Sequence, residues 1–178
     1  GNPAGQVLMV MFSMLYGVIS YKFAYYGEMA TYLGMTAPMS VFALVSWLRN
    51  PHNGNKAEVE IARLKKAEIF NMVVLAVIVT VVFYFILRAF NTSNLVSSTA
   101  SVTTSFLAVY MTYKRSTFFA LAYAANDIIL IVLWTLAALS DISYIPVITC
   151  FVLFLINDIY TFINWTRMHK RQEISQTV

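Results

Sequence analysis

The chain has 178 residues, of which 60% are hydrophobic, 15% aromatic and only 11% charged, with a formal net charge of +4 and a mean hydropathy of +0.70. Because a soluble domain is usually about 25% charged, this composition excludes an ordinary water-soluble domain and predicts an all-α membrane protein. The single cysteine, Cys150, excludes a disulfide framework and a cysteine metal site in this chain; we interpret it as a small buried apolar residue and expect no cofactor.

Six apolar windows of about 18–22 residues follow one another, each long enough to cross roughly 30 Å of hydrocarbon as a helix. The predicted spans, in chain order, are Gln6–Tyr26, Ala30–Leu48, Ile69–Phe90, Leu95–Tyr113, Phe118–Leu139 and Ile145–Trp165. Between the second and third spans, "NGNKAEVEIARLKKAE" alternates charge at helical spacing. This segment predicts a short solvated helix at the membrane surface.

The basic residues are concentrated in the segments after the second, fourth and sixth spans, which strict alternation of six helices puts on one side. These segments hold ten of the twelve Lys and Arg residues, namely Arg49, Lys56, Arg63, Lys65, Lys66, Lys114, Arg115, Arg167, Lys170 and Arg171. Because basic loops stay on the cytoplasmic side of a membrane, we predict a cytoplasmic C-terminus. The positive charge therefore indicates topology, and we expect no binding to nucleic acid.

The second and sixth spans end alike, in "VSWLRN" and "INWTRM", which place Trp47 and Trp165 two residues before an arginine. An aromatic belt followed by an arginine on the inner side explains this, and so does a parallel duplication of three-helix units around a linker helix. In the second interpretation the chain begins after a lost opening helix, and the full-length protein has seven spans. The predicted divisions are 1–48 (last two helices of the first unit), 49–68 (cytoplasmic loop), 69–94 (linker helix), 95–165 (second unit) and 166–178 (cytoplasmic tail).

Asn-Asp pairs recur inside the last two spans, as Asn126 and Asp127 in "YAANDIIL" and as Asn157 and Asp158 in "FLINDIYT". An ionised Asp at the centre of a spanning helix costs at least about 2.5–3.5 kcal/mol. Acids at this depth therefore usually face a bundle interior or a water-filled cavity.

Other polar and aromatic residues share these helix faces. Helical spacing puts Tyr123 beside the first Asn-Asp pair and Thr161 beside the second. The fourth span adds hydroxyls in "SSTASVTTS", including Thr104. We predict that the three helices line one binding cavity in a transport path, and the alternative is polar contact that only holds the helices together.

Several long stretches resemble the Pnu family of bacterial vitamin-riboside transporters, and in particular nicotinamide riboside transporters of the Gram-positive type. The stretches are "YGVISYKFAYYGEMATYLGMTAPMSVFALVSWLRNP", "YKRSTFFALAYAANDIILIVLW" and "FLINDIYTFINWTRM". The resemblance implies a transporter rather than an enzyme, with a SWEET-like fold of seven helices arranged 3+1+3. It also implies a homotrimer in the bacterial plasma membrane, facilitated diffusion of a vitamin B3 and NAD precursor, and a cytoplasmic riboside kinase that traps the substrate.

The resemblance carries over to single positions. Trp47 matches the second tryptophan of a family W-x-x-W pattern, whose first position is Leu44 here. Tyr123 lies near a family tryptophan, a family asparagine falls at or beside Asp127, and Asn157 matches another. The implied substrate-binding residues are Trp47, Thr104, Tyr123, Asn126, Asp127, Asn157, Asp158 and Thr161.

Nicotinamide riboside joins a neutral sugar to a cationic pyridinium that carries a carboxamide, and such a ligand suits aromatic faces, amides and a carboxylate. The sequence leaves other functions open. A sister transporter would carry thiamine, riboflavin or a deoxynucleoside, and a proton-coupled carrier would use Asp127 and Asp158. Further alternatives are an intramembrane enzyme with this pair as a catalytic dyad and a membrane anchor with no small ligand.

Overall fold

The computed structural model describes residues 1–22, 25–92 and 94–176, and long helices dominate it. The helices are α1 (Ala4–Lys22), α2 (Tyr26–Thr31), α3 (Ala37–Arg49), α4 (Lys66–Ala89), α5 (Leu95–Tyr113), α6 (Phe119–Ala138) and α7 (Ile145–Gln176). A π-helical turn, Tyr32–Thr36, joins α2 directly to α3, and a 3₁₀ turn, Ile142–Tyr144, precedes α7. The chain is therefore predominantly helical, as predicted.

Five helical stretches in the described part of the chain are long and apolar enough to cross a membrane: α1, the continuous α2–α3 stretch, α4, α6 and α7. The sixth long helix, α5, has 19 residues like α1, but its many Ser and Thr residues lower its hydropathy. It packs against α3, α4 and α6, so protein rather than lipid covers hydroxyls such as those of Ser101 and Ser105, which are buried. These helices agree with a multi-pass membrane protein.

The segment between α3 and α4 is a β-hairpin, so the predicted short solvated helix is wrong. Strand β1 (Pro51–His52) pairs antiparallel with strand β2 (Asn55–Val59). The two residues between them, Asn53 and Gly54, have φ values of 48° and 77°, as both central residues of a type I′ turn require. Turn chemistry in "PHNGNK" therefore outweighed the charge spacing, which stabilises a helix only weakly.

The last turns of α7 pack on this hairpin through Gln172, which is 3% exposed. Its Oε1 accepts from the Ile61 backbone N–H at 2.9 Å, and its Nε2 donates to the Val59 carbonyl at 3.0 Å. The Glu58 carboxylate accepts from Gln172 Nε2 at 2.9 Å and from Arg171 Nη2 at 2.6 Å. We call these five residues the polar clasp. Helix α7 continues to Gln176, so the described part of the segment predicted as a tail is helical, and Arg171 and Gln172 hold it against the hairpin segment.

The π-helical turn contains Gly34 and ends shortly before Pro38, which is the second residue of α3. Because Pro38 has no backbone N–H, it cannot make the usual helical bond to the carbonyl four residues earlier. Within the turn, the Thr36 hydroxyl donates to the Thr31 carbonyl at 3.3 Å. The turn buries Tyr32 and Thr36 in the bundle interior, and such π turns are frequent at functional sites.

We call the end of the bundle that carries the hairpin the hairpin end, and the end that carries the α6–α7 connection the far end. Aromatic clusters fill both ends, around Trp47 and Trp165 at the hairpin end and around Tyr16 and Trp134 at the far end. Helix α7 packs mainly on α6, so most of its surface is uncovered. This explains why Cys150, predicted to be buried, is exposed.

Candidate functional site

A cavity of about 440 Å³ lies between these two aromatic clusters, with walls from α1, the π-helical turn, α3, α5, α6 and α7. Its volume falls in the range of pockets that hold small molecules. Seven of the eight residues predicted for the site line it: Trp47, Tyr123, Asn126, Asp127, Asn157, Asp158 and Thr161. The eighth, Thr104, lies behind the wall, where its hydroxyl donates to the Asn126 Oδ1 atom at 2.9 Å.

The Asn126 amide is held in one orientation. It is 3% exposed, and its Oδ1 accepts from both Thr104 Oγ1 at 2.9 Å and Ser105 Oγ at 3.0 Å. With the oxygen occupied by two hydroxyls, the NH₂ group is left to donate, and the Tyr32 hydroxyl lies near it. Two helices, α5 and the α2–α3 stretch, thus position an amide donor at the cavity wall.

Two carboxyl groups face each other across the α6–α7 side of the cavity. Asp127 is 5% exposed, and its Oδ2 has no hydrogen-bond partner among the described residues. Asp158 is half-buried and lies close to Asp127 from the facing helix α7. No lysine or arginine side chain lines the cavity in the described part of the chain, so this pair can share a proton or receive a cationic group.

Aromatic rings bound the cavity at both ends. At the hairpin end, the Trp47 and Trp165 ring centroids are 5.1 Å apart, and Trp47 Nε1 donates to the Thr112 carbonyl at 2.8 Å. At the far end, Tyr32 packs on Tyr16 with centroids 4.4 Å apart. Such rings offer flat apolar faces and negative π surfaces to a ligand.

Asn157 differs from the other predicted residues because its side chain is exposed. It lies on α7, which leaves one side of the cavity uncovered. The position still lines the cavity, so Asn157 belongs to its rim and Asn126 to its interior.

Sequence reasoning missed Glu28 and Tyr32, two polar residues in or near this site, whereas Ser105 belongs to the hydroxyl-rich stretch that it assigned to the cavity. Glu28 was assigned to a connection because the predicted spans stopped at Tyr26 and resumed at Ala30. In the structure α2 begins at Tyr26, so Glu28 lies inside a helix, where it is 1% exposed. The available sequence signal was "EMATY", in which Glu28 is followed four positions later by Tyr32. This spacing places the two side chains on one face of a helix.

Comparison with known proteins gives three matches. The family model described as "Nicotinamide mononucleotide transporter" matches residues 1–167. A curated relative from Neisseria mucosa, named nicotinamide riboside transporter PnuC, is 28% identical over 162 residues, which are 88% of this chain and 61% of the relative. The chain thus spans about three fifths of that relative.

The third match is a solved structure described as "Crystal structure of the Vitamin B3 transporter PnuC". It superposes with a TM-score of 0.79 at 24% sequence identity, covering 96% of this chain and 74% of that chain. At this identity the likeness concerns the helical fold.

Proposed function

The chain belongs to the nicotinamide mononucleotide transporter family, a family of transporters rather than enzymes, and we propose that it imports nicotinamide riboside across the bacterial plasma membrane. The observation that carries the proposal is the cavity, in which an oriented amide, two carboxyl groups and several aromatic rings converge. The name of the Neisseria mucosa relative supports the same substrate.

The chemistry of the ligand fits these groups. The carboxylates of Asp127 and Asp158, which have no lysine or arginine partner in the cavity, offset the positive charge of the pyridinium ring. The ring stacks on Tyr123 or Trp47, and a desolvated cation–π contact is worth about 0.5–2 kcal/mol. The Asn126 NH₂ group donates to the carboxamide oxygen or to the ribose. Thr161 and Asn157 supply further polar contacts at the α7 wall.

Transport in this proposal is facilitated diffusion by alternating access, in which one helical unit rocks against another around a fixed site. The SWEET-like 3+1+3 arrangement, the homotrimer and the trapping cytoplasmic kinase are parts of the proposal. The charge pattern supports a cytoplasmic hairpin end and C-terminus, because ten of the twelve basic residues lie in segments at that end. The contact between Trp47 and Trp165, at matching ends of two spans, supports the repeat.

Calorimetric titration of the purified protein tests the substrate and the site together. The ligands are nicotinamide riboside, nicotinamide, thiamine and a deoxynucleoside. We expect nicotinamide riboside to bind, and Asp127→Asn to weaken binding about tenfold or more, because a contact to a charged group is worth about 1.5–3 kcal/mol. Asp141→Asn is the matched control, since Asp141 is exposed outside the cavity. Preference for another ligand would move the chain to a sister transporter, and no binding by folded protein would refute the proposal.

A proton-coupled carrier is the second candidate, and the unpartnered Asp127 Oδ2 beside Asp158 favours it. The two candidates make opposite predictions in vesicles that contain no trapping enzyme. Facilitated diffusion predicts an initial uptake rate that an uncoupler leaves unchanged at constant membrane potential. Proton coupling predicts that the same treatment abolishes accumulation against a gradient of substrate.

A further inference from the structure

Glu28 is a buried acid that the cavity does not use. It is 1% exposed, and its Oε2 has no hydrogen-bond partner among the described residues. No salt bridge reaches it in this part of the chain, and Lys22 and Arg88, the basic residues at this end, are exposed. Because a buried carboxylate without a partner is costly, an acid in a spanning helix usually has a function.

The position of Glu28 relates it to the cavity. Glu28 and Tyr32 are four residues apart and share one helix face, and Tyr32 lines the cavity. Glu28 therefore lies about one helical turn, roughly 5.4 Å, beyond the cavity toward the far end. The neighbouring Gly27 packs against α4, where an added Cβ would lie 2.5 Å from Leu87 Cδ2. Because Glu28 itself is 1% exposed, its side chain lies on the side of the helix that faces the bundle interior.

A layer of aromatic side chains closes the passage at this level. Tyr16 packs on Tyr32 with ring centroids 4.4 Å apart and on Phe151 at 5.7 Å. The Tyr16 hydroxyl oxygen accepts from Trp134 Nε1 at 2.8 Å, which ties α1 to α6. We call these four residues the far-end plug. Glu28 is close enough to act electrostatically on Tyr16 and Tyr32 of the plug and on the neighbouring Tyr25.

We propose that Glu28 forms a second recognition site, outside the cavity, for the positively charged ring of the ligand, and that this site is uncovered when the far-end plug opens. The inference rests on the proposed function. Alternating access requires the far end to open, and opening it must separate Tyr16 from Trp134. The same movement removes the cover of Glu28, because Tyr16 and Tyr32 lie beside it.

A cation in a passage of low dielectric needs a compensating charge at each stage. Asp127 and Asp158 provide it inside the cavity, and Glu28 provides it one turn nearer the far end. The carboxylate that has no partner in the closed arrangement then acquires one during transport.

The test compares two ligands that differ in charge. The protein is reconstituted in vesicles, and initial uptake is measured for cationic nicotinamide riboside and for its reduced, neutral dihydro form, which keeps the carboxamide and the ribose. For Glu28→Gln we expect the ratio of cationic to neutral uptake to fall about tenfold. The calorimetric affinity for nicotinamide riboside should stay within about twofold of wild type, because the cavity is unchanged.

Two further variants complete the design. Asp141→Asn removes an exposed carboxylate near the same end and should leave the ratio unchanged. Glu28→Asp keeps the charge and should retain most of the preference for the cation. This variant still tests the inference if Glu28→Gln does not fold.

Three results would overturn the inference. Equal slowing of both ligands by Glu28→Gln would make Glu28 structural, and unchanged uptake would make it irrelevant to transport. Uptake that depends on external pH in the wild type but not in Glu28→Gln would make it a proton site. Failure of the proposed function is distinguishable, because the wild type would then bind no nicotinamide riboside.

Discussion

Asn126 shows how a single side chain is prepared for a ligand. Its oxygen accepts from two hydroxyls on α5, and this fixes which face of the amide is free to donate. An amide whose orientation is set before binding loses less conformational freedom when the ligand arrives. We therefore expect Thr104, which lies behind the cavity wall, to affect affinity although it does not touch the ligand.

Two neighbouring threonines on α5 test this effect. Thr104→Val removes one hydroxyl that orients Asn126, and we expect affinity for nicotinamide riboside to fall about twofold to tenfold, as for the loss of a hydrogen bond worth about 0.5–1.5 kcal/mol. Thr103→Val is the matched control, because its hydroxyl bonds Thr80 on α4 at 2.7 Å instead. Calorimetry should show unchanged affinity for Thr103→Val. Equal weakening by both variants would contradict a positioning role for Thr104.

The convergence of Asp127 and Asp158 could be predicted from the sequence, because both Asn-Asp pairs lie at equivalent depth in helices whose length was evident. Tyr32 could not be placed, since its direction depends on the π-helical turn, for which a single sequence gives only the Gly34 and Pro38 signals. Glu28 was missed because an error of a few residues in a span boundary moved it from a helix to a loop. The residues that sequence reasoning found are thus those on regular helix, and those that it missed lie near the irregular one.

At the scale of elements, the π-helical turn divides the α2–α3 stretch at the level of the cavity. The turn places both Tyr32 and Thr36 at the cavity, and Tyr32 also packs in the aromatic layer against Tyr16. A wide turn is a local departure from the regular helix, and conversion to an α-helical turn would rotate everything that precedes it. We therefore expect this turn to act as a hinge when the far end opens.

Gly34→Ala tests the hinge. An added Cβ at Gly34 meets nothing within 4 Å, so the substitution is sterically free, and alanine favours regular helix by about 1 kcal/mol over glycine. We expect unchanged or higher thermal stability together with several-fold slower uptake. Gly5→Ala in α1 is the matched control, as its Cβ also meets nothing within 4 Å. If Gly34→Ala transports at the wild-type rate, the turn is not a hinge.

The helices and the hairpin differ in how far the sequence predicted them. A run of apolar residues as long as a bilayer is thick has few alternatives to a helix, and α5 was predicted with the bounds that the structure has. The segment from Pro51 to Val59 lies outside the apolar spans, where weak local preferences compete. There the sequence Asn53-Gly54 favours a hairpin turn, because both residues readily adopt the positive φ values that the turn requires.

At the scale of the whole molecule, the polar clasp joins the last turns of α7 to the hairpin and so links segments that are far apart in the chain. Gln172 satisfies the buried Ile61 N–H and the Val59 carbonyl at once. We expect Gln172→Ala to lower the free energy of unfolding by about 1–3 kcal/mol, because it leaves buried polar groups without partners. Thermal unfolding in detergent measures this, and Ser175→Ala, which removes only a hydroxyl bonded to the Gln172 carbonyl, is the milder control.

The same clasp gives the protein a dependence on acid. Hydrogen bonds from Gln172, and then from Arg171, lower the pKa of Glu58 in the folded state. The stabilisation by Glu58 is therefore fully present above the unfolded pKa of about 4.3 and is lost as the pH falls through the lower, folded pKa. We expect the melting temperature to drop as the solution is acidified below about pH 4.3, and Glu58→Gln to reduce this drop.

Glu60→Gln is the control for this titration, because Glu60 forms no salt bridge in the part of the chain that the structure describes. Its melting temperature should follow the wild-type curve. A Glu58→Gln protein with the full wild-type acid dependence would show that the clasp does not contribute to it.

The three tryptophans of the chain divide between the two ends of the cavity. Trp134 belongs to the far-end plug, where its ring nitrogen donates to Tyr16, whereas Trp47 and Trp165 touch at the hairpin end. Indole emission shifts to longer wavelength when the ring meets water, so each end carries its own intrinsic optical reporter. Trp134→Phe leaves a protein whose fluorescence follows the hairpin end alone, and the difference from wild type isolates the far end without any attached dye.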